Sequence, residues 1–313
     1  MEKKIATREA YGMALSEFGK DERIVVLDAD LSKSTKTDTF KKEYPDRFFN
    51  MGIAEGNMMA YAAGLATCGK IVFASSFAIF AAGRAYEQIR NSIAYPNLNV
   101  KIGASHAGIS VGEDGASHQA IEDIALMTAI PNMTVLSPCD AVETRYAVKA
   151  AIEHNGPVYI RLGRLAVPQV MDENNYKFEF GKGVTLKDGN MVTIISTGLM
   201  TWYALDAAKE LESIGISARV INIHTIKPID KDIIIKAAKE TGAIVTVEEH
   251  NVIGGLGSIV CSVTSENCPV PVKMVGVQDK FGKSGKPQEL LERYGLTKEN
   301  IVSNVKKVLK LKR

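Results

Sequence analysis

Val100-Lys-Ile-Gly-Ala-Ser-His-Ala-Gly-Ile-Ser-Val-Gly-Glu-Asp-Gly-Ala-Ser-His-Gln119 opens on a short β-branched run and passes into a loop. Between Ser105 and Gln119, two of the five histidines, two adjacent carboxylates and three glycines fall in fifteen residues. Gly108, Gly112 and Gly115 interrupt regular structure, so the backbone can turn back on itself and present polar side chains. Loops of this composition, set at the end of a strand, face a ligand more often than a core. His106, Asp114 and His118 are therefore candidate hydrogen-bonding groups for a hydroxylated substrate.

Working outward, short apolar runs alternate with helical patterns. Ile24 to Leu27, Ile71 to Phe73, Met133 to Leu136 and Val158 to Ile160 read as buried strands beside Val100 to Ile102. Helices are predicted over 8–18, 55–66, 82–93, 120–128 and 141–153. The alternation implies an α/β fold with a mostly parallel sheet flanked by helices, and ligands collect beyond the carboxyl ends of such strands. The loops after Leu27, Phe73 and Ile102 are then the places for chemistry. Residues 171–184 read as a linker, with Asp188-Gly189-Asn190 as a hairpin turn. The same pattern resumes afterwards, with strands near 192–196, 217–221, 243–247 and 272–275 and helices near 202–214 and 231–239. Two α/β domains are expected, 1–170 and 185–313.

Size agrees: 313 residues suffice for two domains, and 46% hydrophobic with 24% charged residues describes a globular chain with a large core. A net charge of +2 from 38 basic and 36 acidic residues points neither to nucleic acid nor to a membrane surface. Cys68, Cys139, Cys261 and Cys268 lack metal-site spacing and read as reduced thiols. No signal-peptide pattern is visible at the N-terminus, and the apolar stretch from Ile71 to Gly83 is too short to span a bilayer, so a cytoplasmic protein is expected. Lys306 to Arg313 reads as a solvated terminal helix.

Four motifs in order carry a resemblance: Ile-Ala-Thr-Arg ending at Arg8, Asn-Met-Gly-Ile-Ala-Glu ending at Glu55, Ser-Ser-Phe-Ala-Ile-Phe ending at Phe80, and Gly-Glu-Asp-Gly-Ala-Ser-His-Gln ending at Gln119. The first domain resembles the pyrimidine-binding domain of transketolase and the second that family's C-terminal domain. The family's Gly-Asp-Gly, which with a later Asn holds the cofactor's diphosphate through Mg²⁺, is nowhere in the chain. The chain also has about half the length of a one-piece transketolase. The resemblance thus implies the C-terminal subunit of a split enzyme. An N-terminal partner subunit would carry Gly-Asp-Gly and most of the Mg²⁺ contacts, thiamine diphosphate would bridge the two chains, and the whole would form a heterotetramer. The implied reaction moves a two-carbon ketol unit from a ketose phosphate to an aldose phosphate by way of thiamine diphosphate.

The resemblance also distributes roles. Glu55 would hydrogen-bond the cofactor's pyrimidine and so promote proton removal from its thiazolium, helped by burial among Met51, Ile53, Met58 and Met59. Phe80 would stack on that ring with Phe77 beside it. A further aromatic of the family pattern is replaced by Gly83. Asp30 would help position the cofactor. Arg8, Arg164 and Ser34 would hold the substrate's phosphate, with Arg161 competing with Arg164 for the role. His106 and His118 would contact hydroxyls of the ketose and assist proton transfer, and Asp114 would read the hydroxyl beside the carbonyl. The Gly-rich run after Thr246 is weak evidence for any ligand, and the second domain is assigned to assembly.

Two enzymes of similar layout compete. The beta subunit of a pyruvate-dehydrogenase-type complex is opposed by the Glu-Asp-Gly-x-x-His-Gln run and the paired arginines. A deoxyxylulose-phosphate-synthase-like fragment is opposed by His106, eight residues before Asp114. A noncatalytic assembly subunit is opposed by the joint presence of Glu55, Phe80, His106 and His118.

Overall fold

The computed structural model describes residues 4–312; the first three residues and Arg313, at the ends of the two expected domains, lie outside the described residues. The described strands are β1 (Lys4–Ala6), β2 (Ile24–Asp28), β3 (Phe48–Asn50), β4 (Ile71–Phe77), β5 (Val100–Ser105), β6 (Thr134–Leu136), β7 (Val158–Arg161), β8 (Ala166–Pro168), β9 (Val184–Lys187), β10 (Val192–Ser196), β11 (Ala218–Asn222), β12 (Thr225–Lys227), β13 (Ile244–Asn251) and β14 (Val272–Val277). They form a seven-stranded sheet ordered β12-β6-β7-β5-β4-β2-β3, a five-stranded sheet ordered β14-β13-β10-β11-β9, and an antiparallel β1-β8 pair. Within each large sheet all pairings are parallel except those of the edge strands β12 and β9.

The chemistry of the strands accounts for this layering. β2, β4, β5 and β7 are buried along their whole length, as expected of parallel strands covered on both faces. The helices Thr7–Phe18 and Ala141–Glu153 cover one face, burying Ala14, Leu15, Ala147 and Val148 in one apolar cluster with Val26 and Phe73. The second helix starts where the Asp140 carboxylate accepts the Glu143 N–H, an N-cap that satisfies one otherwise unpaired donor. The helix Glu55–Thr67 buries Met58, Met59 and Ala62 on the other face. That cluster continues without a break into Ile195, Ile221, Ile234 and Leu256 of the second half, so the two sheets share a core.

Four sequence readings change. The helix expected over 82–93 is split into two wide turns of π type, Phe80–Arg84 and Ile89–Ala94, around Tyr86–Gln88. The helix expected from Ala120 begins at Asp123, because Ala120 bridges to Ala107 and its carbonyl accepts the Gly108 N–H. Asp188-Gly189-Asn190 is no hairpin: β9 pairs with β11, which lies between it and β10, and Gly189 presses so closely on Ala218 that a Cβ would sit 2.4 Å from its carbonyl carbon. The terminal helix Lys298–Leu309 is amphipathic rather than solvated, with Ile301, Val302, Val305 and Val308 buried in the second sheet's core.

Candidate active site

The carboxyl ends of β3, β2, β4, β5 and β7 gather most of the singled-out side chains. Phe77 ends β4 and His106 follows β5 in left-handed backbone, φ 57°. Their rings stack with centroids 3.9 Å apart. Phe80 lies nearly parallel to Phe77 at 6.0 Å, and His118 stands edge-on to both, 5.1 Å from Phe80 and 6.1 Å from Phe77. Two histidines from one loop and two phenylalanines from the neighbouring strand and its continuation thus form one apolar-walled patch, an arrangement in which ring faces exclude water.

Arg8 Nη1 lies 3.5 Å from His106 Nε2 and donates to the Ser34 carbonyl at 2.8 Å. A guanidinium has no acceptor, so this contact requires Nε2 to be unprotonated, which places the imidazole hydrogen on Nδ1, 3.0 Å from the Ser105 hydroxyl. Burial, reinforced by the positive Arg8 and Arg164, pushes the His106 pKa down to about 3, so it is a neutral imidazole at neutral pH. Arg8 is itself shifted down by burial, and its Nε is buried without a hydrogen-bond partner among the described residues. Ser34 is brought to Arg8 through its backbone rather than its hydroxyl.

Arg161 and Arg164 separate cleanly. Arg161 is buried, donating to Asp123 at 2.9 Å and to the Glu249 carbonyl at 2.9 Å, while Tyr159 donates to the same Asp123. Arg164 is part-exposed, donating to the Val111 carbonyl and to Glu113 at 3.2 Å. Arg164 therefore keeps donors at the surface of the loop, whereas those of Arg161 are committed inside the protein.

The loop itself needs its glycines: Gly108, Gly112 and Gly115 have φ of 87°, 91° and 75°. It is braced by the second half of the chain. Glu249 on β13 accepts the Ser110 N–H at 2.6 Å, and a Cβ on Gly108 would fall 2.4 Å from that carboxyl carbon. Gln119 donates to the Lys283 carbonyl at 2.9 Å, and Asn251 N donates to Ile121 O at 2.7 Å. Glu248 accepts the backbone N–H groups of Leu256 and Gly257, where the helix Leu256–Asn267 begins, and burial raises its pKa to about 7. Burial lowers neighbouring His250 to about 4.

Glu55 opens the helix Glu55–Thr67 with its side chain 1% exposed, and its Oε2 accepts Arg84 Nη1 at 2.8 Å. Met58 and Met59 are fully buried beside it as expected, whereas Ile53 is 78% exposed and takes no part. The Arg84 guanidinium lies 4.5 Å over the Phe80 ring. Glu55 Oε1 accepts no hydrogen bond among the described residues, so an acceptor oxygen of a buried residue and an aromatic face stand side by side, a pairing that fits a planar nitrogen heterocycle. Asp30 sits exposed at the end of β2 with φ 63°, accepting the Asn50 amide at 2.8 Å. Asp114 is exposed on the loop. Among the described residues no cluster of three or more His, Cys, Asp or Glu side chains could hold a metal ion. Among them, too, no helix is long and apolar enough to cross a membrane.

Sequence reading misses Arg84, Asp123, Gln119 and Glu249. Arg84 is one turn from Phe80 and could be found there; Glu249 braces a loop about 140 residues away, which no local pattern reveals.

Family models match two stretches: transketolase, pyrimidine binding domain, at residues 3–169, and transketolase, C-terminal domain, at residues 181–301. A Methanocaldococcus jannaschii protein named as a transketolase C-terminal section is 52% identical over 97% of this chain and 96% of its own length. A solved split gene transketolase, an inactive beta4 tetramer, is 61% identical with TM-score 0.93, covering 99% of this chain and 100% of that one. The Campylobacter jejuni transketolase structure is 25% identical with TM-score 0.83, and 98% of this chain covers 47% of it.

Proposed function

The chain belongs to the transketolase family, and from that premise we propose that it is the C-terminal subunit of a split transketolase. It would transfer a two-carbon ketol unit from a ketose phosphate to an aldose phosphate, and only with an N-terminal partner. The observation that carries this reading is the convergence of Phe77, Phe80, His106 and His118 at the strand ends, with Arg8 behind them.

When bound, thiamine diphosphate supplies the electron sink that makes cleavage beside a ketone feasible. Glu55 would accept a hydrogen bond at the pyrimidine, and Phe80 with Phe77 would fix the tilt of that ring and keep water away. Asp30 would steady the cofactor from the end of β2. Mg²⁺ and the diphosphate would be gripped mainly by the partner's Gly-Asp-Gly.

At the substrate, His106 would act as a neutral imidazole, polarised by Arg8 and able to exchange a hydrogen bond with a sugar oxygen without desolvating a charge. His118 and Asp114 would contact hydroxyls from the rim of the same loop. Arg8, Arg164 and Ser34 would bind the anionic end, Arg164 giving up its contact with Glu113 for a better one. A 6-deoxy-6-sulfo-D-fructose transketolase subunit of Clostridium is 45% identical, and an apulose-4-phosphate transketolase subunit of Phocaeicola vulgatus is 42% identical. An arginine pair of this kind could hold a sulfonate or a phosphate, so donors of both kinds belong in the assay.

The test uses this chain, its partner and a mixture of both, with thiamine diphosphate, Mg²⁺, xylulose-5-phosphate and ribose-5-phosphate. Turnover only in the mixture is the expected result; turnover by this chain alone would overturn the division of labour.

A further inference from the structure

We propose that Glu249, on β13 of the second half, is a positioning residue for the reaction: its carboxylate fixes the register of the loop that presents Asp114 and His118. The inference rests on the reading that those two side chains face the sugar. The base of the loop is closed without Glu249. Ala107 bridges to Ala120, the Gly108 N–H donates to Ala120 O at 2.9 Å, and the Ala107 N–H donates to Leu162 O at 3.1 Å. Beyond that base, the turn Ile109–Val111 is anchored at its central amide: the Ser110 N–H donates to Glu249 Oε1 at 2.6 Å, and both residues are buried. Arg164 holds Val111 O, and Gln119 holds Ile109 O at 3.1 Å and Lys283 O at 2.9 Å. Of these ties, the one to Glu249 is made by a buried carboxylate.

Two further observations make that carboxylate a template for the loop. Gly108 lies in left-handed backbone, φ 87°, and packs so closely on it that a Cβ would overlap the carboxyl carbon. The loop is thus held at Ser110 by a hydrogen bond and stopped at Gly108 by contact. Glu249 is itself held, because its carbonyl accepts Arg161 Nη2 at 2.9 Å, and the same nitrogen donates to Ala120 O at 3.3 Å. Arg161 therefore ties the strand that carries the carboxylate to the base of the loop it braces. A carboxylate accepts a stronger hydrogen bond than a neutral oxygen, and a buried N–H deprived of its acceptor is costly. Without the carboxylate, Ser110 moves toward another partner and the loop moves with it. A displacement of about 1 Å in groups that orient a substrate can cost about 10²-fold in rate.

The test compares wild type with Glu249→Ala, Glu249→Asp and Glu249→Gln, each mixed with the partner chain, thiamine diphosphate and Mg²⁺. Ribose-5-phosphate is the acceptor. The donors are xylulose-5-phosphate and ribulose-5-phosphate, which differ only in configuration at the carbon beside the carbonyl. Glu249→Ala should lower kcat/KM for xylulose-5-phosphate by about tenfold or more and narrow its preference over ribulose-5-phosphate. Glu249→Asp keeps the charge but draws the carboxylate back by one methylene, and should fall nearly as far. Glu249→Gln keeps the length and an acceptor oxygen, and should stay within about fivefold of wild type. Hydrogen exchange over residues 109–118 of the same mixtures without sugar gives a second readout, independent of turnover. Exchange should quicken in Glu249→Ala and Glu249→Asp and not in Glu249→Gln. Unaltered exchange in Glu249→Ala overturns the brace, and equal losses in all three variants overturn the role of reach. Quickened exchange with unaltered turnover and preference would instead overturn the reading that the loop faces the sugar. If Glu249→Ala fails to fold by thermal melt, Glu249→Asp and Glu249→Gln carry the same comparison.

Discussion

Arg161 and Arg164 stand three residues apart on the same strand end, and they live in opposite chemistries. Around Arg161 lies a closed polar cluster: Asp123, Tyr159 and Glu249 are all buried, and the guanidinium donates to the Asp123 carboxylate and the Glu249 carbonyl. Around Arg164 and Arg8 lies an open one, where Asp114 and Glu113 are exposed and Arg8 Nε has no hydrogen-bond partner among the described residues. Both clusters hold arginine and carboxylates. What divides them is whether donors and acceptors are already satisfied by the protein: satisfied groups hold the two halves together, and unsatisfied ones remain available to a ligand.

The comparison breaks most sharply at Arg161. Arg161→Ala would leave Asp123 buried and unpaired at the joint between the halves, at a cost of about 3–5 kcal/mol in urea unfolding. A loss below about 1 kcal/mol would mean the closed cluster is not closed. His106→Ala in the mixed enzyme should lower kcat/KM by about 10²-fold or more, with the unfolding midpoint nearly unchanged. An equal loss in stability would move His106 to the structural side. Arg164→Ala should raise KM for a phosphorylated donor by roughly tenfold and leave folding intact. A variant with unaltered KM would remove Arg164 from the anion site.

A pH experiment sharpens the same division from the buried side. The Glu248 pKa is raised from 4.5 to about 7 in the folded chain, so its contribution to stability is complete below pH 4.5 and is lost as the pH rises through about 7. Glu248→Gln cannot ionise and escapes that decline. Relative to wild type, the variant should gain stability between about pH 5 and about pH 8, read as a narrowing or reversal of the difference in melting temperature. A gap that widens with pH would contradict the assignment. Smallest of all, Gly83→Ala would bring its Cβ only into ordinary contact with Ile79 Cδ1 at 3.7 Å and should change stability by less than about 1 kcal/mol.

The sheets are legible where strands are long and buried on both faces: Ile24 to Leu27, Val100 to Ile102 and Val158 to Ile160 announce themselves by hydrophobicity alone. Short edges are not. β1, β8, β9 and β12 have three or four residues, and their pairing is decided by distant chain, so the turn after β9 reads as a hairpin although β11 is the strand's neighbour. In the site, motifs locate the loop, Glu55 and Phe80, because glycines, histidines and carboxylates cluster locally. Hidden from any local reading are the groups that act across the fold: Glu249 bracing Ser110 and Asp123 taking Arg161 out of contention. The second half, assigned to assembly from its sequence, turns out to support the loop that carries His118.

The central claim is that the buried carboxylate at the start of the helix Glu55–Thr67 serves the cofactor rather than the fold. The most direct measurement is the steady-state rate of ketol transfer from xylulose-5-phosphate to ribose-5-phosphate by the mixed chains carrying Glu55→Ala, at saturating thiamine diphosphate and Mg²⁺. A loss of about 10²-fold or more, with thermal stability retained, is the result expected. A rate equal to wild type would contradict it.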